Sequence, residues 1–272
     1  MEKQIFITTD LKAYAAFYDH KWANEITAQC RDTKLDRPFF DLIASWKGIS
    51  NARQMPVMMI NLFKSGVEGA TRPYAEYAHR FTTTLRDTIV ARVPLSDSQQ
   101  RSMDAGLRSI QAGTADMLKS AKHALDAEKL WEDFTKELEI RLSLWKSEEA
   151  AYVMMFFAYE SFLSHCVGIF KDNPAYRARR AEELGNDLET EFGKPVSDNC
   201  WRAEPVTIAR LVRNALLHNG GRLTRELEQY RKRIIVVERD EIGISAVVTN
   251  ELAACLKNCV TDFVTQVLPK LR

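Results

Sequence analysis

With 272 residues, 46% of them hydrophobic and 28% charged, the chain is long enough to bury a sizeable core, and its composition argues against disorder. Thirty-eight Lys and Arg against thirty-seven Asp and Glu leave a formal charge of +1, so no global basic field advertises a nucleic-acid partner. Any such footprint must be local.

The N-terminal "MEKQIFITTDLKAY" lacks a basic region followed by an apolar run, so no signal peptide is expected. Apolar residues at i, i+3, i+4, i+7 spacing then predict helices near 10–30, 38–48, 53–65, 72–91, 97–122, 127–171, 176–192, 205–218 and 250–270. The aromatic residues of the first half (Tyr14, Phe17, Tyr18 and Trp22, then Phe39, Phe40 and Trp46) fall at helical spacing and read as core. Its histidines, His20, His79 and His123, are isolated. "RVPLSDSQQ" (92–100), "KDNPAY" (171–176) and "FGKPVSDNCW" (192–201) carry loop chemistry.

Within 127–171, "WKSEEA" offers a serine followed by acids, which predicts a break and a new helix start at 146–149. "AAYVMMFFAY" (150–159) stops at Glu160, short of the roughly 20 apolar residues of a membrane span, so a soluble protein without membrane contact is expected. The β-branched "IIVVERDEIGISAVV" (234–248) predicts a small β-hairpin around a charged turn. The fold class expected is therefore all-α, a helical bundle with that hairpin near the C-terminus. A boundary near 140 would separate an N-terminal helical region, 1–140, from a C-terminal domain, 141–272.

Five cysteines (Cys30, Cys166, Cys200, Cys255, Cys259) are scattered and odd in number. They read as reduced thiols of a cytoplasmic protein. Cys255 and Cys259, four residues apart with no histidine nearby, fit a core face better than a metal half-site. No metal and no cofactor is expected.

The C-terminal half holds one concentrated signal, "RLVRNALLHNGGRLT" (210–224). Pro205 suits a first helical position and "HNGG" a helix end, giving a helix over 205–218. At 100° per residue, Ile208, Leu211, Val212, Ala215 and Leu216 make an apolar stripe. The opposite arc runs from Arg213 through Leu217, Arg210 and Asn214 to His218. Arg213 and His218 stand about 140° apart, so their heads meet only across something between them, and a phosphate fits. Leu217 amid polar neighbours implies a covered face. From Trp201 to Arg233 there are eight basic and three acidic residues, a local excess of +5 that points to an anionic ligand. An ordinary reading also exists, because histidine and glycine are common at helix ends and a half-buried arginine can simply pair with a carboxylate.

"R213-N-A-L-L-H218" near a helix end in an all-α chain resembles the signature of the HEPN superfamily (higher eukaryotes and prokaryotes nucleotide-binding domains), an Arg, four to six residues and a His, with Asn, Asp or His often directly after the Arg. The resemblance takes in an upstream acid in an apolar helix, here Glu160 in "FFAYESFLSH", and spans roughly 145–272. It implies a helical bundle, frequent homodimers and, in active members, metal-independent endoribonuclease chemistry at a composite site. Carried over, Arg213 would stabilise charge on phosphorus, His218 would be the general acid/base, and Asn214 would orient His218 or the phosphate. The local basic excess makes Arg210, Arg222 and Arg225 the expected RNA-binding residues, and Glu160 would be a supporting acid or a simple partner for Arg213 or Arg210.

Members silenced by nucleotide modification carry a Tyr two positions after the His, where this chain has Gly220, so that control does not transfer. The expectation is an RNA-cleaving homodimer of a stress or antiviral defence system, with RNA and an antitoxin or regulatory protein as partners. A non-catalytic HEPN-like module for RNA, nucleotide or protein binding, and an unrelated protein with a well-capped helix, stand beside it.

Overall fold

The computed structural model describes residue 7 and residues 10–92, 96–124 and 127–271. Among them the chain is all-α. In chain order the helices are α1 (His20–Cys30), α2 (Asp36–Arg53), α3 (Met55–Arg92), α4 (Asp97–Ala124), α5 (Ala127–Phe134), α6 (Leu138–Phe170), α7 (Ala181–Phe192), α8 (Lys194–Cys200), α9 (Glu204–His218), α10 (Arg225–Glu228) and α11 (Ala246–Val267).

Two compact units form, one from Met1–Met55 with Glu137–Arg272 and the other from Pro56–Lys136. One division falls between Lys136 and Glu137, close to residue 140, and a second between Met55 and Pro56. Residues up to Met55 belong with the C-terminal half because Phe39, Leu42 and Trp46 of α2 are buried in the same core as α6 and α11.

In the first unit α6 is the central element and packs against α2, α7, α9 and α11. Its sequence is apolar on several faces, so Met155, Phe156, Tyr159, Leu163 and Val167 are all buried, each worth about 1.5–3 kcal/mol by transfer. Its most apolar window meets the length and composition of a membrane span, but 56% of that window is buried inside the protein. Polar tips are satisfied locally. Trp46 Nε1 donates to the Met155 carbonyl (3.2 Å), Trp201 Nε1 to the Ala181 carbonyl (2.7 Å), and Tyr159 Oη to the Cys200 carbonyl.

The break expected at 146–149 is absent, and α6 runs through it. Glu148 caps no helix; it is 2% exposed and accepts from Arg53 Nε at 2.7 and 2.9 Å. The other Arg53 nitrogens reach Asn250 Oδ1 (2.7 Å) and the carbonyls of Ala13 (2.7 Å) and Ala246 (2.8 Å). One guanidinium therefore ties the N-terminal segment, α2, α6 and the start of α11 together.

The hairpin expected over 234–248 does not form. Isolated bridges join Arg222 to Glu241 and Val236 to Ile242, around a turn in which Arg239 and Asp240 have positive φ. Ile242 and Ile244 are buried against the helices, so their β-branched side chains serve the core of the bundle rather than a ladder. The loop expected at 192–201 is mostly the short helix α8, started by Pro195 after Gly193, whose φ of 92° suits glycine. Its packing on α7 and α11 stabilises a turn that local propensity alone leaves open.

After α6 the chain doubles back on itself. The Asn173 amide donates to the Gly168 carbonyl at 2.8 Å, and a Cβ on Gly168 would lie 2.8 Å from the Asn173 oxygen and 3.1 Å from Tyr176 Cβ. Gly168→Ala is expected to cost about 1–3 kcal/mol in urea unfolding, because backbone must shift to admit the methyl. Unchanged stability would show that the loop does not rest on α6.

The second unit pairs α3 with α4 in antiparallel fashion: Arg86 Nε donates to Asp104 (2.9 Å), while Thr82, one turn earlier, accepts from Gln111, two turns later (2.6 Å). The two helices predicted over 53–65 and 72–91 are the single helix α3, which continues through Pro73. Residues 93–95, in the loop expected at 92–100, lie outside the described residues.

Candidate functional site

Helix α9 starts at Glu204 with Pro205 in its first turn and ends at His218, after which Gly220 and Gly221 take φ of 61° and 76°. The Asn219 and Gly221 amides both donate to the Ala215 carbonyl, closing the helix end. Its buried residues are Val206, Ala209, Val212 and Ala215. Ile208, Leu211 and Leu216 are only partly buried, so the buried arc is turned toward Arg213 relative to the stripe read from sequence. That rotation has a direct consequence. Arg213 lies partly under α6, its side chain 14% exposed, while His218 lies on the far, exposed edge.

Arg213 Nη2 donates to the Glu160 carboxylate, and its guanidinium stands 5.5 Å from the centre of the Phe156 ring. Its Nε is buried without a hydrogen-bond partner among the described residues, which leaves one strong donor to spare. Arg210, one turn earlier, stacks over Trp201 at 5.0 Å. Burial lowers its pKa from the usual arginine value, and Glu160 opposes that shift. Burial pushes the Glu160 carboxyl up, against the pull of Arg213 and then of Arg210.

A carboxyl whose pKa is raised on folding binds its proton more tightly in the native state. Its stabilising contribution is present below the unfolded value of about 4.5 and is lost as pH rises through the folded value. Glu160→Gln is therefore expected to flatten the fall of stability with pH above about 4.5. Urea unfolding across that range checks it, and a steeper fall in the variant would contradict the assignment.

These residues line one groove of the first unit, about 1510 Å³ in volume. It brings together Arg210, Arg213, Asn214 and Glu160, with Leu217, 53% exposed, at its wall. It does not bring in His218, Arg222 or Arg225, which are exposed elsewhere. The basic cluster around them is also partly neutralised: Arg233 pairs with Glu204, Arg202 with Glu189, and Arg231 with Glu228 and Asp240.

The groove holds residues that sequence reasoning passed over. Arg177, Arg179 and Arg180 form part of its lining, as does His165 of α6. The stretch "YRARRAEE" was read as the start of a helix over 176–192, but α7 begins only at Ala181. Three arginines in a first helical turn would oppose the helix dipole, and that was the available signal. In the loop they stay exposed, and their guanidinium groups have no carboxylate within 4 Å among the described residues, while the Arg179 backbone amide donates to the Glu183 carboxylate (2.7 Å) and Tyr176 Oη donates to Asp187. The arrangement can hold phosphate oxygens through guanidinium forks and can keep a desolvated carboxyl beside them.

No protein family, curated protein or solved structure that was compared matches the chain.

Proposed function

We propose that the chain is a HEPN-like, metal-independent endoribonuclease of a stress or antiviral defence system, acting as a homodimer in the cytoplasm. The observation that carries this reading is the pairing of Arg213 with Glu160 in a groove that also presents Asn214 and Arg210. In this reading Arg213 and Asn214 bind the scissile phosphate. The RNA 2′-OH, losing its proton to His218, attacks the adjacent phosphorus, and the 5′-oxygen leaves with a proton returned by the same imidazole. The products are a 2′,3′-cyclic phosphate and a 5′-OH.

His218 stands outside the groove of its own chain, with exposed Leu217 beside it. A second copy covering Leu217 supplies the face on which two Arg213/His218 pairs complete one site. Light scattering at tens of micromolar is expected to give a dimer, and a strict monomer would remove the composite site. The same exposed position of His218 favours, as the second reading, a non-catalytic RNA- or nucleotide-binding module. Incubating single-stranded RNA with the purified protein in EDTA separates the two: cleavage supports the first reading, and intact RNA with retained binding supports the second.

A further inference from the structure

Phe157 is 62% exposed, yet it sits on the central helix three residues before Glu160 and lines the same groove. An exposed ring inside a groove offers a face on which another flat group can stack. The charged side chains of the same lining are mainly arginines, among them Arg210 and Arg213 of α9 and Arg177, Arg179 and Arg180 of the loop before α7. Its two carboxylates are already engaged, Glu160 by Arg213 and Asp41 by Arg37 (3.1 Å). The uncompensated charge of the lining is therefore positive, and the exposed ring lies in the same groove.

We infer that the groove seats a single-stranded nucleic acid, with one unstacked base on Phe157 and its phosphates shared between Arg210 with Arg213 and Arg177, Arg179 and Arg180. An acidic peptide would satisfy the arginines but leave the ring uncovered, whereas every nucleobase has a face to offer it. A duplex hides its bases from such a ring. The subsite reads stacking and backbone charge, so it takes deoxyribose and ribose strands alike. This rests on the nucleolytic reading only in that the bound strand is a substrate.

The test is fluorescence anisotropy of the full chain with a labelled oligothymidylate of about twelve nucleotides, which lacks the 2′-OH and cannot be cut by the proposed route. Binding is expected at low salt and should weaken with salt. Phe157→Ala should weaken it about five- to a hundred-fold. Replacing Arg177, Arg179 and Arg180 by Gln should lower the slope of log affinity against log salt by about 2. All four side chains are exposed, so folding should be retained.

The inference is overturned if the oligomer does not bind, if Phe157→Ala binds as the parent does, or if a polyglutamate peptide competes equally well. It is also overturned if Phe157→Ala dissociates the dimer, which would assign the ring to a subunit contact. Oligothymidylate binding without RNA cleavage would overturn the nucleolytic reading and leave this subsite standing. Cleavage with an inert Phe157 would do the reverse.

Discussion

Glu148→Ala is expected to lower the unfolding free energy by about 3–5 kcal/mol, the range for stripping one partner from a buried ion pair. Arg53 and Glu148 are each 2% exposed at the side chain, so the abandoned guanidinium has no water to turn to. It also holds Asn250 and the carbonyls of Ala13 and Ala246, and a shift of Arg53 loosens contacts with the N-terminal segment and α11 at once. Guanidinium-chloride unfolding measures the loss. Adding Arg53→Ala to Glu148→Ala should cost much less than the sum of the two single changes, because each already breaks the shared network. Additive losses would mean that the two residues act independently.

The second large effect concerns chemistry rather than stability. If His218 moves the proton between the 2′-OH and the leaving oxygen, His218→Ala should slow RNA cleavage about 10²- to 10⁴-fold. The exposed imidazole makes no side-chain hydrogen bond among the described residues, so its loss should leave unfolding midpoints near those of the parent. Single-turnover cleavage of a labelled RNA, with urea unfolding in parallel, checks both halves. An unchanged rate would move the proton-transfer role elsewhere, and His165, inside the groove, would be the next residue to test.

Helix α9 was legible from sequence almost to the residue, because Pro205, a 3.6-residue apolar stripe and paired glycines all mark the same element. Glu160 was also legible as a carboxylate partner for Arg213 or Arg210, since an acid in an apolar helix needs one. What the sequence hid was decided by tertiary packing. The serine and acids at 147–149 look like a helix start until Arg53, 95 residues upstream of Glu148, claims the middle carboxylate. The β-branched residues at 234–248 look like a hairpin until Ile242 and Ile244 are buried in a helical core. Arg177, Arg179 and Arg180 were lost in a predicted helix, although three cations at a helix N-terminus already argued against it. The residues before Met55 gave no sign of joining the C-terminal half, because apolar spacing fixes which face of a helix is buried but not against what.

The nucleolytic proposal is tested most directly by the ends of the RNA fragments produced in EDTA. The expected result is a 5′-OH end that polynucleotide kinase labels without prior phosphatase treatment, paired with a 2′,3′-cyclic phosphate, and no cleavage at a linkage carrying a single 2′-deoxy substitution. Fragments with 5′-phosphate ends, cleavage at the 2′-deoxy linkage, or activity abolished by the chelator would contradict attack by the 2′-OH.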